Sequence, residues 1–384
     1  MQQTDALIIG AGPVGLFQAF QLGLLGLKVE VVDVLPQAGG QCMALYPDKP
    51  IYDVPGVPRC TGRELTSLLL QQASPFLPLD AATGQRAHLH LGQQVESLSQ
   101  VDGGWQVGTS AGWTCHARSV VLAAGAGAFV PRGLGLAELD CAKNLSHNLP
   151  DEWHANPIGT GAEAAASLVA THGATPIATP AWAGQHLVIA GGGDEALAAV
   201  LHVAQAEPAQ RPARITLLHR RDAFQAEPEA EAAVRALITS GAVQLVLGVP
   251  QGACLSKQPD GHGMHIEALQ LLGADGQAFE LPLDHLLVRL GLSPKLGPLT
   301  QWGLDLERKQ VRVDTASFAS SLPGVHAVGD INTYPGKKRL LLCGFHEATL
   351  AAHAIATALN PDAPPHLLYT TTSPVLHQRL GVQG

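Results

Sequence analysis

The stretch ALIIGAGPVGLFQAFQLGLLGLKVEVVD, Ala6 to Asp33, decides the fold. It reads as an apolar strand (Ala6 to Ile9), a glycine turn (Gly10 to Gly15), a helix running through Leu25 and a second strand from Lys28 to Asp33. Spacing alone is weak in a chain with 42 glycines, and GTGAEA at 159–164 repeats it with no strand in front. Context lifts the first copy. Gly10, Gly12 and Gly15 let the backbone approach a pyrophosphate, Pro13 and the helix N-terminus follow at once, and Asp33 ends the next strand where it can accept hydrogen bonds from ribose hydroxyls. Residues Ala6 to Leu27 carry no charge, a length that would admit a membrane span. The five glycines and Pro13 inside, and the lack of a basic segment before it, favour the strand, turn and helix, so no membrane association is expected.

Working outward, a second βαβ start lies about 180 residues further on: a strand at His186 to Ala190, the turn GGGDEA with Gly191 and Gly193, an alanine-rich helix, and a strand at Arg214 to His219. Its second strand runs into HRRDAF and ends on no ribose-binding acid. Arg220 and Arg221 either offer charge to a 2′-phosphate, which favours NADPH over NADH, or are two solvated surface cations. A third signal is VHAVGDIN, where Asp330 stands between a strand and a helix over His346 to Leu359. It suits the ribityl chain of a flavin or a carboxylate leading a helix. SVVLAAGAGAFVPR, Ser119 to Arg132, adds a strand and a glycine turn. Two dinucleotide folds in one chain imply FAD in the first and a nicotinamide donor in the second.

The expected class is therefore α/β with two Rossmann-like domains. Residues 1–143 form the first part of the FAD domain, 144–186 a linker or insertion, 187–288 the NADPH domain, and 289–384 the rest of the FAD domain with a tail. Further strands are expected at Trp105 to Val107, Ser119 to Ala123, Leu286 to Leu290 and Val325 to Val328, the last two returning to the first domain. The charge-poor segment 154–183 reads as an insertion carrying one helix near 162–171.

Composition narrows the function. A net charge of −9 opposes nucleic-acid binding, which needs a basic surface. The six cysteines are scattered, form no CxxC and point to a reducing cytoplasm. No metal site is expected, because histidine pairs such as His88 with His90, or His262 with His265, have no third ligand nearby in sequence.

Beyond these motifs, LPQAGGQCMALYPDKPIYDVPG, GAFVPR, HRRDAF, WGLDLE, VGDINTYPGKKRLLLCGFHEA and YTTTSP resemble the ferredoxin:NADP reductases built on the thioredoxin-reductase plan. The resemblance covers most of 1–143 and 187–384. It implies a homodimeric flavoprotein whose FAD domain is split around an inserted NADPH domain. It also implies that Asp33 holds the adenosine ribose, that Gln41 and Tyr46 lie beside the flavin, that Val95 and Phe129 line the FAD cleft, that Asp330 contacts the ribityl region, and that Thr371 reaches the flavin from the tail. Three positions depart from the family pattern: Tyr369 stands at the flavin-stacking place often held by histidine, Gln225 where a further arginine is common, and Glu195 where a serine is common.

The implied reaction is hydride transfer from NADPH to FAD, then single-electron delivery to ferredoxin or flavodoxin, with Tyr46, Tyr369 and Thr371 around the flavin and no acid or base required. Lys337, Lys338 and Arg339 offer a local cationic contact for an acidic carrier, or a solvated charge run. Other readings are a quinone- or oxygen-reducing diaphorase and a non-catalytic flavin sensor. Disulfide reduction is disfavoured, because Cys42 meets Pro47 where a second cysteine would stand and no cysteine lies in 142–253.

Overall fold

A computed structural model describes residues 2–147, 149, 180–257 and 263–382. The helix expected near 162–171 and the GTGAEA turn lie outside the described residues. The chain divides into two compact units, Met1–Val130 with Pro294–Gly384, and Pro131–Ser293.

The first unit opens with β1 (Gln2–Ile9), α1 (Pro13–Leu24) and β2 (Val29–Val32). They are followed by α2 (Gly40–Leu45), α3 (Gly62–Gln72), β3 (Leu89–His90), β4 (Val95–Val101), β5 (Gly104–Thr109) and β6 (Thr114–Leu122). The sheet order is β3-β2-β1-β6-β5-β4, with β1 parallel to both β2 and β6, and β5 antiparallel to its neighbours. Burial on both faces explains the unbroken apolar run of β1: Leu7 packs with Val32, Val120 and Leu122, while Ile8 faces the α1 side with Leu16, Ala19 and Leu22. Each fully buried leucine contributes roughly 1.5–3 kcal/mol. Thr61 starts α3 with a reciprocal cap, its hydroxyl accepting from Glu64 N and the Glu64 carboxylate from Thr61 N.

The second unit is built on β7 (Leu145–Ser146), β8 (His186–Ala190), α4 (Asp194–Gln205), β9 (Arg214–His219), α5 (Pro228–Thr239) and β10 (Gln244–Leu247). Three antiparallel strands follow, β11 (Val249–Lys257), β12 (Met264–Leu272) and β13 (Ala278–Pro282), and then β14 (His285–Val288). The parallel sheet runs β7-β14-β8-β9-β10. This corrects one expectation. The strand read at Leu286 to Leu290 does not return to the first domain; Leu286, Leu287 and Val288 are buried in the centre of the second sheet, paired with β8. Unit 2 also takes in residues read as linker, since β7 belongs to its sheet and Trp182 to its core.

The chain returns to unit 1 with β15 (Val325–Ala327), which pairs parallel with β6. Then come α6 (Leu341–Leu359), which starts five residues before the helix expected at His346, and α7 (Pro374–Leu380). Ala351, Ala352, Ile355 and Ala356 of α6 are buried in the same core as Leu16 and Ala19 of α1. Among the described residues no helix is long and apolar enough to cross a membrane. The two-Rossmann α/β class is as expected.

Candidate active site

A cavity of about 340 Å³ opens within unit 1 at the C-terminal ends of β1, β2 and β6. Its floor is the first glycine turn. Gly10 has a φ of +116°, and a Cβ there would lie 2.4 Å from Ala123 O. A Cβ on Gly15 would lie 1.9 Å from Gly10 O, so both positions need glycine for the fold itself. Gly12 differs, because its added Cβ would meet only Gly40 Cα, at 3.8 Å. It faces the cavity, as do Gly10 and Pro13, so the bare backbone there is available to a ligand.

Asp33 is buried on the wall and holds the turn in shape: Oδ2 accepts from Ala11 N at 2.6 Å and Oδ1 from Leu35 N at 2.8 Å. Burial raises its pKa, and the two backbone donors oppose the rise. Each oxygen keeps a lone pair for a ribose hydroxyl. Val95, at the start of β4, lines the same cavity.

Gly39 and Gly40, at φ +110° and +52°, turn the chain into α2, and Gly39 N donates to Ala11 O at 2.8 Å. That brings Gln41, Cys42 and Tyr46 to the wall. Cys42 donates to the Tyr46 hydroxyl at 3.7 Å. Burial pushes the Cys42 thiol up, and burial together with Cys42 pushes the Tyr46 phenol well up, so both stay protonated. A buried thiol with a raised pKa is the reverse of a reactive one.

Asp330 completes the wall from the short helical turn Gly329–Ile331. A network the sequence reading missed fixes this turn. Glu347, fully buried on α6, accepts from Gly329 N at 2.7 Å, Asn332 Nδ2 at 2.9 Å and the Tyr334 hydroxyl at 2.9 Å, and it pairs with Lys337 Nζ. Lys337 Nζ also donates to Gly329 O at 2.9 Å. Only its position hinted at this: a lone acid inside the apolar run of α6.

Lys337 is therefore corrected from docking cation to interior residue, its side chain 8% exposed. Lys338 and Arg339 are exposed, and Arg339 also lines the cavity and donates to Gln310 Oε1 at 2.9 Å. The tail differs from expectation too. Tyr369 and Thr371 are exposed and are not on the cavity wall, because α7 is anchored at the far end of α1, where Arg379 donates to Leu24 O. Phe129 belongs to the strand Ala128–Pro131, but its side chain lies outside the described residues. The segment Lys295 to Leu299 with Trp302 lines the cavity as well, and only Trp302, within the WGLDLE motif, carried a signal.

In unit 2, Gly191 has a φ of +155°, and a Cβ would strike Arg289 O at 2.2 Å. Gly192 packs against the His219 ring, and Gly193 precedes α4 directly. Glu195, the departure expected to add negative charge here, pairs with Arg289 Nη2 at 3.7 Å. Arg220 and Arg221 are exposed just past β9. Elsewhere the fold brings Glu30 to His88 and His90, each 2.8 Å away. Among the described residues, however, no group of three or more histidines, cysteines or acids could hold a metal ion.

Two glycine turns, each between a parallel strand and a helix, one closed by a buried acid and the other flanked by two arginines, define an oxidoreductase of the two-dinucleotide class. Residues 4–358 match the family described as pyridine nucleotide-disulphide oxidoreductase. The chain is 48% identical over 387 residues to a ferredoxin–NADP reductase of Paracidovorax citrulli (strain AAC00-1), covering 100% of this chain and 97% of that protein. It is 47% identical over 383 residues to a ferredoxin–NADP reductase of Leptothrix cholodnii (strain ATCC 51168 / LMG 8142 / SP-6), covering 99% and 92%. Solved structures with the same fold include the bacillithiol disulfide reductase Bdr of Staphylococcus aureus (TM-score 0.57, 12% identity, 94% of this chain and 99% of that one). Another is the thioredoxin reductase of T. acidophilum (TM-score 0.52, 18% identity, 94% and 100%). The chain belongs to the pyridine nucleotide-disulphide oxidoreductase family, in its ferredoxin–NADP reductase branch. The resemblance read from the motifs is borne out.

Proposed function

We propose that the chain is an FAD-dependent NADPH oxidoreductase that exchanges electrons with a ferredoxin. The observation that carries the reading is the pairing of two glycine turns of opposite charge preference in one chain, Asp33 beside the first and Arg220 with Arg221 beside the second. The residues of unit 1 fit FAD: a turn open at Gly12, a buried carboxylate for the ribose, and Asp330 for the polyol chain.

When bound, FAD accepts a hydride from NADPH and releases the two electrons singly, which matches a two-electron donor to a one-electron carrier. The chain supplies placement. The turn and the α1 N-terminus bind the diphosphate, and Tyr46 with Gln41 border the ring site. Arg220 and Arg221 hold the 2′-phosphate of NADPH. Cys42 carries no electrons, being buried, with the Tyr46 hydroxyl as its hydrogen-bond partner. The described cysteines are free, in keeping with a reducing cytoplasm.

Arg339, exposed on the cavity wall, and Lys338, exposed next to it in the chain, are the cations for an acidic ferredoxin or flavodoxin. The unit is a homodimer in this reading. The consecutive exposed side chains Leu367, Leu368 and Tyr369 offer apolar surface to a second copy, and Thr371 is exposed and off the wall of its own chain's cavity.

Stopped-flow mixing of the flavin-loaded protein with NADPH tests the reading, followed by turnover with ferredoxin, flavodoxin, quinone and oxygen in parallel. Loss of flavin absorbance within seconds and fastest turnover with ferredoxin are expected. Unbleached flavin would leave a sensor, and equal turnover with oxygen alone would leave an oxidase.

A further inference from the structure

Asp222 directly follows the two arginines assigned to the 2′-phosphate. A carboxylate at that place would compete for their guanidinium groups and repel a phosphate. It is instead engaged elsewhere. Asp222 Oδ1 accepts from Arg235 Nη1 of α5 at 2.5 Å. Arg235 Nε and Nη2 both donate to Glu231 Oε1, at 3.2 and 3.1 Å, and the guanidinium carbon lies 4.7 Å from the centre of the Phe224 ring. Phe224 packs in turn against His219 (5.8 Å between ring centres), whose ring covers Gly192. Arg235 is thus held by two acids and an aromatic face. The side chains of Arg220 and Arg221 are exposed and have no hydrogen-bond or ion-pair partner among the described residues.

We infer that Arg235 is a positioning residue for nucleotide choice: it withdraws Asp222 from the HRRDAF turn and so leaves Arg220 and Arg221 to a nucleotide bearing a 2′-phosphate. This rests on the assignment of NADPH to that turn. Its guanidinium donors to Asp222 and Glu231 are committed, so Arg235 acts through Asp222 and not on the phosphate. It also compensates a departure noted in the sequence. With Gln225 in place of a further arginine, selectivity rests on two cations, and a freed carboxylate beside them would cost more.

The test uses the flavin-loaded full chain. Arg235→Leu keeps apolar cover over Phe224, and kcat/KM is measured for NADPH and NADH alongside calorimetric Kd values for NADP+ and NAD+. Arg235→Leu is expected to lower the NADPH-to-NADH ratio about tenfold, with the same fall in NADP+ affinity and NADH values within about twofold. Adding Asp222→Asn should restore most of the ratio. An unchanged ratio, equal losses for both nucleotides, or no recovery in the double variant overturns the inference. A wild-type protein with no preference for NADP+ over NAD+ removes the NADPH assignment itself, and the inference with it.

Discussion

Lys337 Nζ touches Glu347 Oε1 with both side chains out of solvent, so an ion pair lies beneath the turn that presents Asp330. Removing one member leaves a charge buried without its partner, which costs about 3–5 kcal/mol. Lys337→Met is expected to lower the free energy of unfolding by about that amount and to weaken FAD retention. Lys337→Met with Glu347→Gln should be the milder change. Urea titration of the two variants decides it, and a single variant as stable as the double would contradict the pair's importance.

Lys338, exposed beside it, has no such interior role. Lys338→Glu is expected to raise the apparent KM for ferredoxin severalfold at low salt and to flatten its salt dependence, because rim charges act mainly on encounter. Steady-state assays across a salt series give the answer; superimposable curves would take Lys338 out of the contact.

The glycines of the first turn separate folding from binding. Gly15→Ala places a methyl 1.9 Å from a carbonyl oxygen and should abolish soluble, folded protein. Gly12→Ala meets only a Cα at 3.8 Å, so it should fold with a near-normal melting temperature and lose FAD affinity at least tenfold. Flavin fluorescence during apoprotein titration, paired with circular dichroism, distinguishes the two.

Glu30 gives a pH prediction. Burial alone would raise its pKa, but hydrogen bonds from His90, His88 and Gln2 outweigh burial and hold it below the usual carboxylate value. A folded-state pKa below the unfolded one means the unfolded chain binds more protons in that window, so stability from Glu30 is full above the ordinary carboxylate pKa and fades as pH falls through the folded value. Glu30→Gln should therefore melt lower than wild type at neutral pH, with the gap closing in acid. A gap independent of pH would assign the loss to packing.

Legibility in the sequence followed chain locality. The β1, α1 and β2 opening, β8 and β9 were readable because apolar runs, glycine turns and an acid or arginines sit within a few residues of one another. Lys337 was misread because three consecutive basic residues look solvated, and only the fold folds the first of them under α6 onto Glu347. The strand at β14 was assigned to the wrong sheet because a buried parallel strand carries no signature of its neighbours. Arg235, 13 residues beyond Asp222 on a different element, had no motif to mark it.

Because the flavin-side unit is assembled from residues on both flanks of the nucleotide-side unit, its sheet waits for β15 and its second helical cover for α6. During synthesis the intervening unit has its whole sheet available first, while β1 to β6 remain open at one edge with α1 uncovered. The cofactor pocket is thus completed late in translation, when Pro294–Gly384 emerges and adds Lys295 to Leu299, Trp302, Asp330 and Arg339 to a wall begun by the first segment.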